Sequence, residues 1–271
     1  MRQVSRLIGL SLLSALVSPM ALAQFGHGKH EEEPAPWSQA DEYWNAREMQ
    51  ESRAAVLHHH GDLNIWALQV HRAELAFHED ETVGVIDADV WYGGDLNKLY
   101  LKTEGEFSFE EDDFEELEVQ ALWSRAISPF FDFQAGVRYD LEPKGRTHAV
   151  VGFQGMAPYR FEIDTAAYLS DRGDVTGDIE VEYELALTQR LHIKPRAELG
   201  WSAQDIDGLE IKSGLTNAAA GLRLSYDVVR EFSPYVGVEW SGSLGGTRDL
   251  IEATGEDAGA TAFVIGFHAW Y

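Results

Sequence analysis

The sequence of 271 residues contains no cysteine. That excludes a disulfide framework, a thiolate nucleophile and a cysteine-ligated zinc site, so an exported chain of this kind must hold itself together by other means. Basic residues are few. Lys and Arg number 21 against 46 Asp and Glu, for a formal net charge of −25. So acidic a chain excludes nucleic acid as a partner, disfavours docking onto anionic lipid and attracts cations. Long hydrophobic runs are missing as well. After residue 23 no apolar stretch approaches the roughly 18–20 residues of a spanning helix. A membrane β-strand spreads its hydrophobicity over alternate residues and leaves the same absence. The motifs G-x-S-x-G, H-E-x-x-H and the P-loop are absent too, so an outer-membrane enzyme is the weakest of the function classes considered.

What is present begins with the compartment. Arg2 and Arg6 precede a short apolar run, Leu7 to Val17, and then Ala21-Leu22-Ala23, a small-x-small cleavage pattern. Residues 1–23 therefore read as a secretory signal peptide. Its removal takes away Arg2 and Arg6, moving the charge from −25 to −27. Residues 24–62 hold Pro34, Pro36, the run Glu31-Glu32-Glu33 and most of the clustered histidines. From Gln39 to Leu57 the composition suits a helix, with His58-His59-His60-Gly61 as its C-terminal turn. This segment is expected to be a partly disordered periplasmic arm carrying one short helix.

From about Ile65 the hydrophobic period becomes two. Ile179, Val181, Tyr183, Leu185 and Leu187 alternate with Glu180, Glu182 and Glu184. Phe131, Phe133, Ala135, Val137 and Tyr139 alternate with Asp132, Gln134, Arg138 and Asp140, and Leu222, Leu224 and Tyr226 with Arg223 and Ser225. Such strands run to about ten or twelve residues, which suits a tilted membrane strand better than a soluble sandwich. Short connections fall near Gly94-Asp95, Ser128-Pro129, Ala157-Pro158, Thr188-Gln189 and Arg230-Glu231. Longer acidic ones are expected at 78–84, 110–116, 142–146, 170–177, 204–216 and 242–260. This predicts, over residues 63–271, an all-β fold: an antiparallel outer-membrane β-barrel of about twelve strands with both ends in the periplasm. The strand from Leu191 to Ser202 is weakened by Pro195. Eight Trp, ten Tyr and thirteen Phe supply aromatic girdles facing outer-membrane lipid. Phe263, Ile265, Phe267, Ala269 and Tyr271 end the chain on one apolar face, a pattern that barrel-assembly machinery reads.

The stretch from Trp91-Tyr92-Gly93-Gly94-Asp95-Leu96 through Gly105-Glu106 resembles the signature of the copper resistance protein B family of outer-membrane proteins. So do Val119 to Pro129, Asp132 to Asp140, Leu187 to Leu191, Arg230 to Trp240 and Ala253 to Asp257, and the similarity runs from about Ala40 to Tyr271. The resemblance implies an outer-membrane location and a role in copper tolerance, with copper ions as ligand and a periplasmic copper-binding protein or multicopper oxidase as partner. One departure stands out. Many members carry a Met- and His-rich N-terminal stretch suited to soft Cu(I). Here the chain after residue 23 has only Met49 and Met156, which leaves high-capacity Cu(I) storage without its ligands. Imidazole suits Cu(II), and also Zn or Ni, so the oxidation state stays open.

Candidate metal ligands are thus His27 and His30, spaced H-x-x-H before three Glu, and the run His58, His59 and His60, with Met49 between them. The bland alternatives are a solvated tail and a cationic helix end. His148 and Met156 fall on one inward register and are softer candidates, although gap filling is the commoner use of Met. His71 and His78, at odd separation, are expected on opposite faces. Inside the barrel the alternation places Asp87, Asp89, Glu104, Glu106, Glu118, Glu162, Asp164, Glu180, Glu182 and Glu184, with Lys98, Lys102, Arg138, Lys194, Arg196 and Arg223. A salt-bridged filling is the plainer expectation for these, and a cation path the sharper one. Two readings of function follow: a copper-binding barrel that sequesters copper or controls its passage, and a structurally closed barrel whose arm docks a periplasmic copper partner.

Overall fold

The structure is a computed structural model in which residues 39–60, 63–79, 81–255 and 257–271 are described. The chain divides into two units, Met1–His59 and His60–Tyr271. The signal peptide, the expected disorder of the arm before residue 39, and the pair His27 and His30 lie outside the described residues.

In the first unit, the continuous helix expected from Gln39 gives way to two pieces. A single 3-10 turn, Gln39–Glu42, precedes α1 (Ala46–His60). Asn45 makes the boundary. Its side-chain Oδ1 accepts the Arg47 N–H at 2.9 Å and its carbonyl accepts the Met49 N–H at 3.0 Å, the geometry of an N-cap. Arg47 and Glu51 pair one turn apart at 3.1 Å. His58, His59 and His60 form the last turn, as expected.

The second unit is a barrel. Its strands are β1 (Ile65–Phe77), β2 (Thr82–Gly93), β3 (Asn97–Ser108), β4 (Asp113–Ala126), β5 (Phe131–Glu142), β6 (Arg146–Ala157), β7 (Phe161–Ser170), β8 (Val175–Tyr183), β9 (Leu185–Ala186), β10 (Leu191–Ser202), β11 (Gly214–Tyr226), β12 (Phe232–Ser243) and β13 (Gly259–Trp270). A helix, α2 (Gly245–Thr254), sits in the connection before β13. Both β8 and β9 pair with β10, so together they form one wall position and the wall has twelve. The break between them falls opposite Lys194 and Pro195, whose ring nitrogen has no hydrogen for the ladder. The strand that Pro195 was expected to weaken is continuous; its neighbour is the one interrupted.

Each strand is antiparallel to the next, and β13 returns to β1 from Gln69↔Trp270 to Phe77↔Phe263. The closure continues to the final residue: Tyr271 N–H donates to the Leu68 carbonyl at 2.8 Å and Leu68 N–H to the Tyr271 carbonyl at 2.9 Å. No edge is left, which is the condition for a sheet to sit in hydrocarbon. Inward glycines allow the tight curvature. A Cβ on Gly136 would lie 2.0 Å from the Ala121 carbonyl oxygen, so the adjacent backbones could not come this close with any other residue.

Alternation assigns the faces. Leu101, Val137, Val151, Val238 and Ile265 lie near the middle of their strands and are exposed, while Leu122, Val150 and Val264 are buried inside. Apolar side chains exposed at mid-strand on every side are the lipid face of an outer-membrane barrel. Outward aromatics crowd the end at which β1 begins and β13 finishes: Trp66, Tyr92, Trp123, Tyr159, Phe161, Phe232 and Trp270. This is the interfacial girdle of the periplasmic end.

Two expectations need correction. First, only two outer connections are long, 203–213 and 244–258. The other four are tight, at 78–81, 109–112, 143–145 and 171–174. Acidic residues read as loop, such as Asp113, Glu115, Glu116 and Glu142, belong to the strands. Second, β1 carries a β-bulge between Val70 and Arg72, so His71 and His78 both line the lumen instead of facing opposite ways. They still lie seven residues apart, roughly 23 Å along a strand.

Val137→Arg, at the centre of the lipid face, should destabilise the barrel by about 2–4 kcal/mol, and Leu187→Arg, in a periplasmic turn, by about 0–1 kcal/mol. Urea titration in phosphatidylcholine vesicles measures both. Equal losses would contradict the assigned depths.

Candidate functional site: the charged lumen

Because every second residue points inward, the lumen collects what lipid cannot take. Its strand-borne cations come from β1, β3, β5, β6, β10 and β11, and each is paired with carboxylates. Arg72 pairs with Glu104 and with Asp87 at 3.4 Å. Arg138 lies over the Tyr168 ring at 4.8 Å and pairs with Glu118 and with Asp140 at 2.6 Å. Arg196 takes Glu180 at 2.7 Å and Glu198 at 2.6 Å. Arg223 holds Glu74 through Nε at 3.0 Å and Nη2 at 2.7 Å, and Tyr235 donates its hydroxyl to the same carboxylate at 2.9 Å. Lys98 meets Asp132 at 2.8 Å, and Lys102 on β3 reaches Asp164 on β7 at 2.8 Å. Three strands separate β3 from β7, so that last pair reaches across the lumen and ties non-adjacent parts of the wall together.

Cations are outnumbered. The lumen holds one continuous cavity of about 1690 Å³, lined among the described residues by twenty-two Asp and Glu and six Lys and Arg. It reaches His78, Glu79 and Lys144 at the outer end and Pro129, Phe130, Met156 and Glu162 at the periplasmic end. The loop 203–213 folds over the outer mouth. Ile206, Leu209 and Ile211 line the cavity from above, and Lys144 Nζ donates to the Gly208 carbonyl at 2.5 Å. At the base of this loop the Ser213 backbone N–H, with Lys212, holds the Asp205 carboxyl below its ordinary pKa.

The residues singled out in the sequence sit as follows. Asp87, Asp89, Glu104, Glu106, Glu118, Glu162, Asp164, Glu180 and Glu182 line the cavity. Glu184 lies 3.1 Å from Lys194 and 3.0 Å from His192. Glu106 and Glu162 make no ion pair among the described residues. His148 lies 2.9 Å from Asp140 near the outer end, whereas Met156 is eight residues along the same strand, roughly 26 Å away. These two therefore do not form one site. His58 and His59 stack edge to face at 5.0 Å, and Met49 lies more than two helical turns before them. Among the described residues no three His, Asp or Glu converge on one metal position.

Two lumenal histidines, His192 and His268, went unnoticed in the sequence, and a third, His71, was noticed but not paired with a lumenal carboxylate. His192 Nε2 lies 3.1 Å from Asp227, with Glu184 off the hydrogen-bond direction of Nδ1. His71 Nε2 lies 3.3 Å from Asp89. His268 on β13 stands opposite the bulge in β1. The alternation that placed Lys194 and Arg196 inside also covers His192; nothing in the sequence marked the bulge that turns His71 inward.

Barrel, girdle and acidic lumen define the architecture, and comparison with known proteins assigns it. The profile of the family described as "Copper resistance protein B precursor (CopB)" matches residues 64–271. The chain belongs to the copper resistance protein B family. A relative named Copper resistance protein B, from Escherichia coli, is 40% identical over 182 residues, which is 67% of this chain and 61% of that one. A Copper resistance protein B homolog from Pseudomonas syringae pv. tomato is 37% identical over 186 residues, 68% of this chain and 63% of its own. The match thus spans less than two thirds of either relative. Among solved structures, a NanC porin superposes with a TM-score of 0.50 at 10% identity, covering 76% of this chain and 99% of that one. That likeness concerns the fold alone.

The Glu74–Arg223 pair is buried on both sides. Glu74→Ala should therefore cost about 3–5 kcal/mol by stranding the guanidinium, while Glu74→Met with Arg223→Met should recover much of the loss. A double-mutant cycle in urea checks this; additive losses would mean that the pair does not interact.

Proposed function

We propose that this non-catalytic outer-membrane protein binds copper ions and contributes to copper resistance, by sequestering copper or by controlling its passage across the outer membrane. The observation that carries this reading is the acidic cavity that reaches both ends of the barrel, lined among the described residues by far more carboxylates than cations. A field of one sign inside low-dielectric walls raises the local concentration of cations and repels anions. The names of the two relatives supply the metal. In this reading residues 1–23 are a removed signal peptide, 24–62 a periplasmic arm and 63–271 the barrel. His27, His30, His58, His59 and His60, with Met49, are the arm's copper ligands. The lumen carboxylates from Asp87 to Glu184, with His148 and Met156, offer weaker positions. A periplasmic copper-binding protein or multicopper oxidase fits as the arm's partner.

A second reading, a closed barrel that only docks such a partner, is favoured by two observations. The Lys102–Asp164 pair spans the lumen, and the loop carrying Ile206 covers the outer mouth. Single-channel recording separates the two. A cation-selective current supports passage, and a silent barrel supports docking.

Metal titration tests the arm. Replacing the five arm histidines by Ala should lower copper binding and tolerance while leaving assembly intact. Protons compete with copper for the imidazole nitrogen, so arm-dependent binding should weaken in acid. Binding that survives the substitutions without that pH dependence would move the site into the lumen.

A further inference from the structure

The bulge in β1 changes what the lumen offers. Before it, β1 pairs Gln69↔Asp89 and Val70↔Ala88; after it, Arg72↔Asp87 and Ala73↔Ile86. One extra residue is inserted, so His71 and Arg72, neighbours in sequence, both line the cavity. In an unbroken strand one of them would face lipid. Bulges re-aim side chains in this way. Arg72 answers Asp87 and Glu104, leaving His71 for Asp89.

Asp89 is unusual among the lumenal acids. Its residue is only 3% exposed, yet its Oδ2 has no hydrogen-bond partner among the described residues. Its register neighbour across β3 is Lys102, whose ammonium reaches to Asp164 instead. Among the described residues, the hydrogen-bonding group at Asp89 Oδ1 is the His71 ring, at a long 3.3 Å. A buried carboxylate oxygen without a partner is costly, and this one belongs to a side chain that lines the cavity.

We propose that His71 and Asp89 form a transit site for a divalent transition-metal ion in the lumen, the imidazole and the carboxylate holding Cu(II) while water completes its shell. The inference rests on the reading that copper enters the lumen, and it names where the ion pauses. Two protein ligands agree with the absence, among the described residues, of any three converging donors. They also suit transit, which requires binding firm enough to admit an ion and weak enough to release it. An N,O donor pair with no thioether or thiolate selects Cu(II) over Cu(I), and Cu(II) over Ni(II) and Zn(II) by the general affinity order.

The test uses the full chain with His27, His30, His58, His59 and His60 replaced by Ala, folded in detergent, with CuSO4 as probe and pulsed EPR as readout. The expected result is a bound Cu(II) showing the nitrogen modulation of a single imidazole. His71→Ala should abolish that modulation. Asp89→Asn, which keeps the size of the side chain, should weaken binding at least tenfold. Faster migration of unheated samples on gels checks that each variant is folded. Copper that stays bound with unchanged modulation in His71→Ala overturns the transit site and leaves the proposed function standing. So does a five-histidine variant that binds no copper while the unaltered chain does. Failure of the unaltered chain to bind copper sinks both.

Discussion

Everything in this molecule follows from the rule that a backbone in hydrocarbon has no partner but another backbone. The rule is met when β13 pairs with β1, and it is met to the last residue, because the Leu68–Tyr271 hydrogen bonds extend the seam to the chain terminus. A closed antiparallel sheet then sorts its own side chains. One set faces lipid and must be apolar. The other set is confined to a lumen too narrow to leave charges fully hydrated, so cations and carboxylates meet there. Inward glycines such as Gly136 are a condition of the same closure, because the sheet must bend sharply at those points.

This dependence explains which features were legible in the sequence. The period of two from Ile65, the five periplasmic turns and the inward acids could all be read, because closure imposes strict alternation over many strands. Features that break alternation were not legible. The bulge at His71 changes the face of every later residue in β1 relative to the earlier ones, and no residue type announces it. The outer connections were read as too long because the outer ends of the strands carry the composition of loops; Asp113 to Glu116 are four acidic or aromatic residues and yet belong to β4. Pro195 was correctly seen as a defect, but its effect fell on the neighbouring strand, where the missing hydrogen is felt. In the first unit, Asn45 caps a helix that begins only at Ala46, a boundary that composition alone smooths over.

Pairing across the lumen was illegible for a different reason. Register fixes a residue's neighbours along the wall but says nothing about residues it meets across the interior. Lys102 stands beside Asp89 in register and bonds Asp164 four strands further on. Arg223 passes over two strands to reach Glu74. Such partners are set by barrel radius and side-chain length together, and both emerge only when the sheet closes.

The count of lumenal acids therefore overstates what a metal ion could use. A carboxylate held by Arg72, Arg138, Arg196 or Arg223 would have to give up a charge-assisted hydrogen bond to accept an ion, and such bonds are among the stronger ones in a protein. Those groups still shape the field, since pairing twenty-two carboxylates with six Lys and Arg leaves a large negative remainder. Attraction of cations and their coordination are thus carried by different residues. The paired acids and the excess charge favour entry, and direct contact falls to the few groups whose lone pairs are not engaged. Asp89 is the most deeply buried of these, and it is also the one to which the fold, through a single inserted residue, has brought an imidazole.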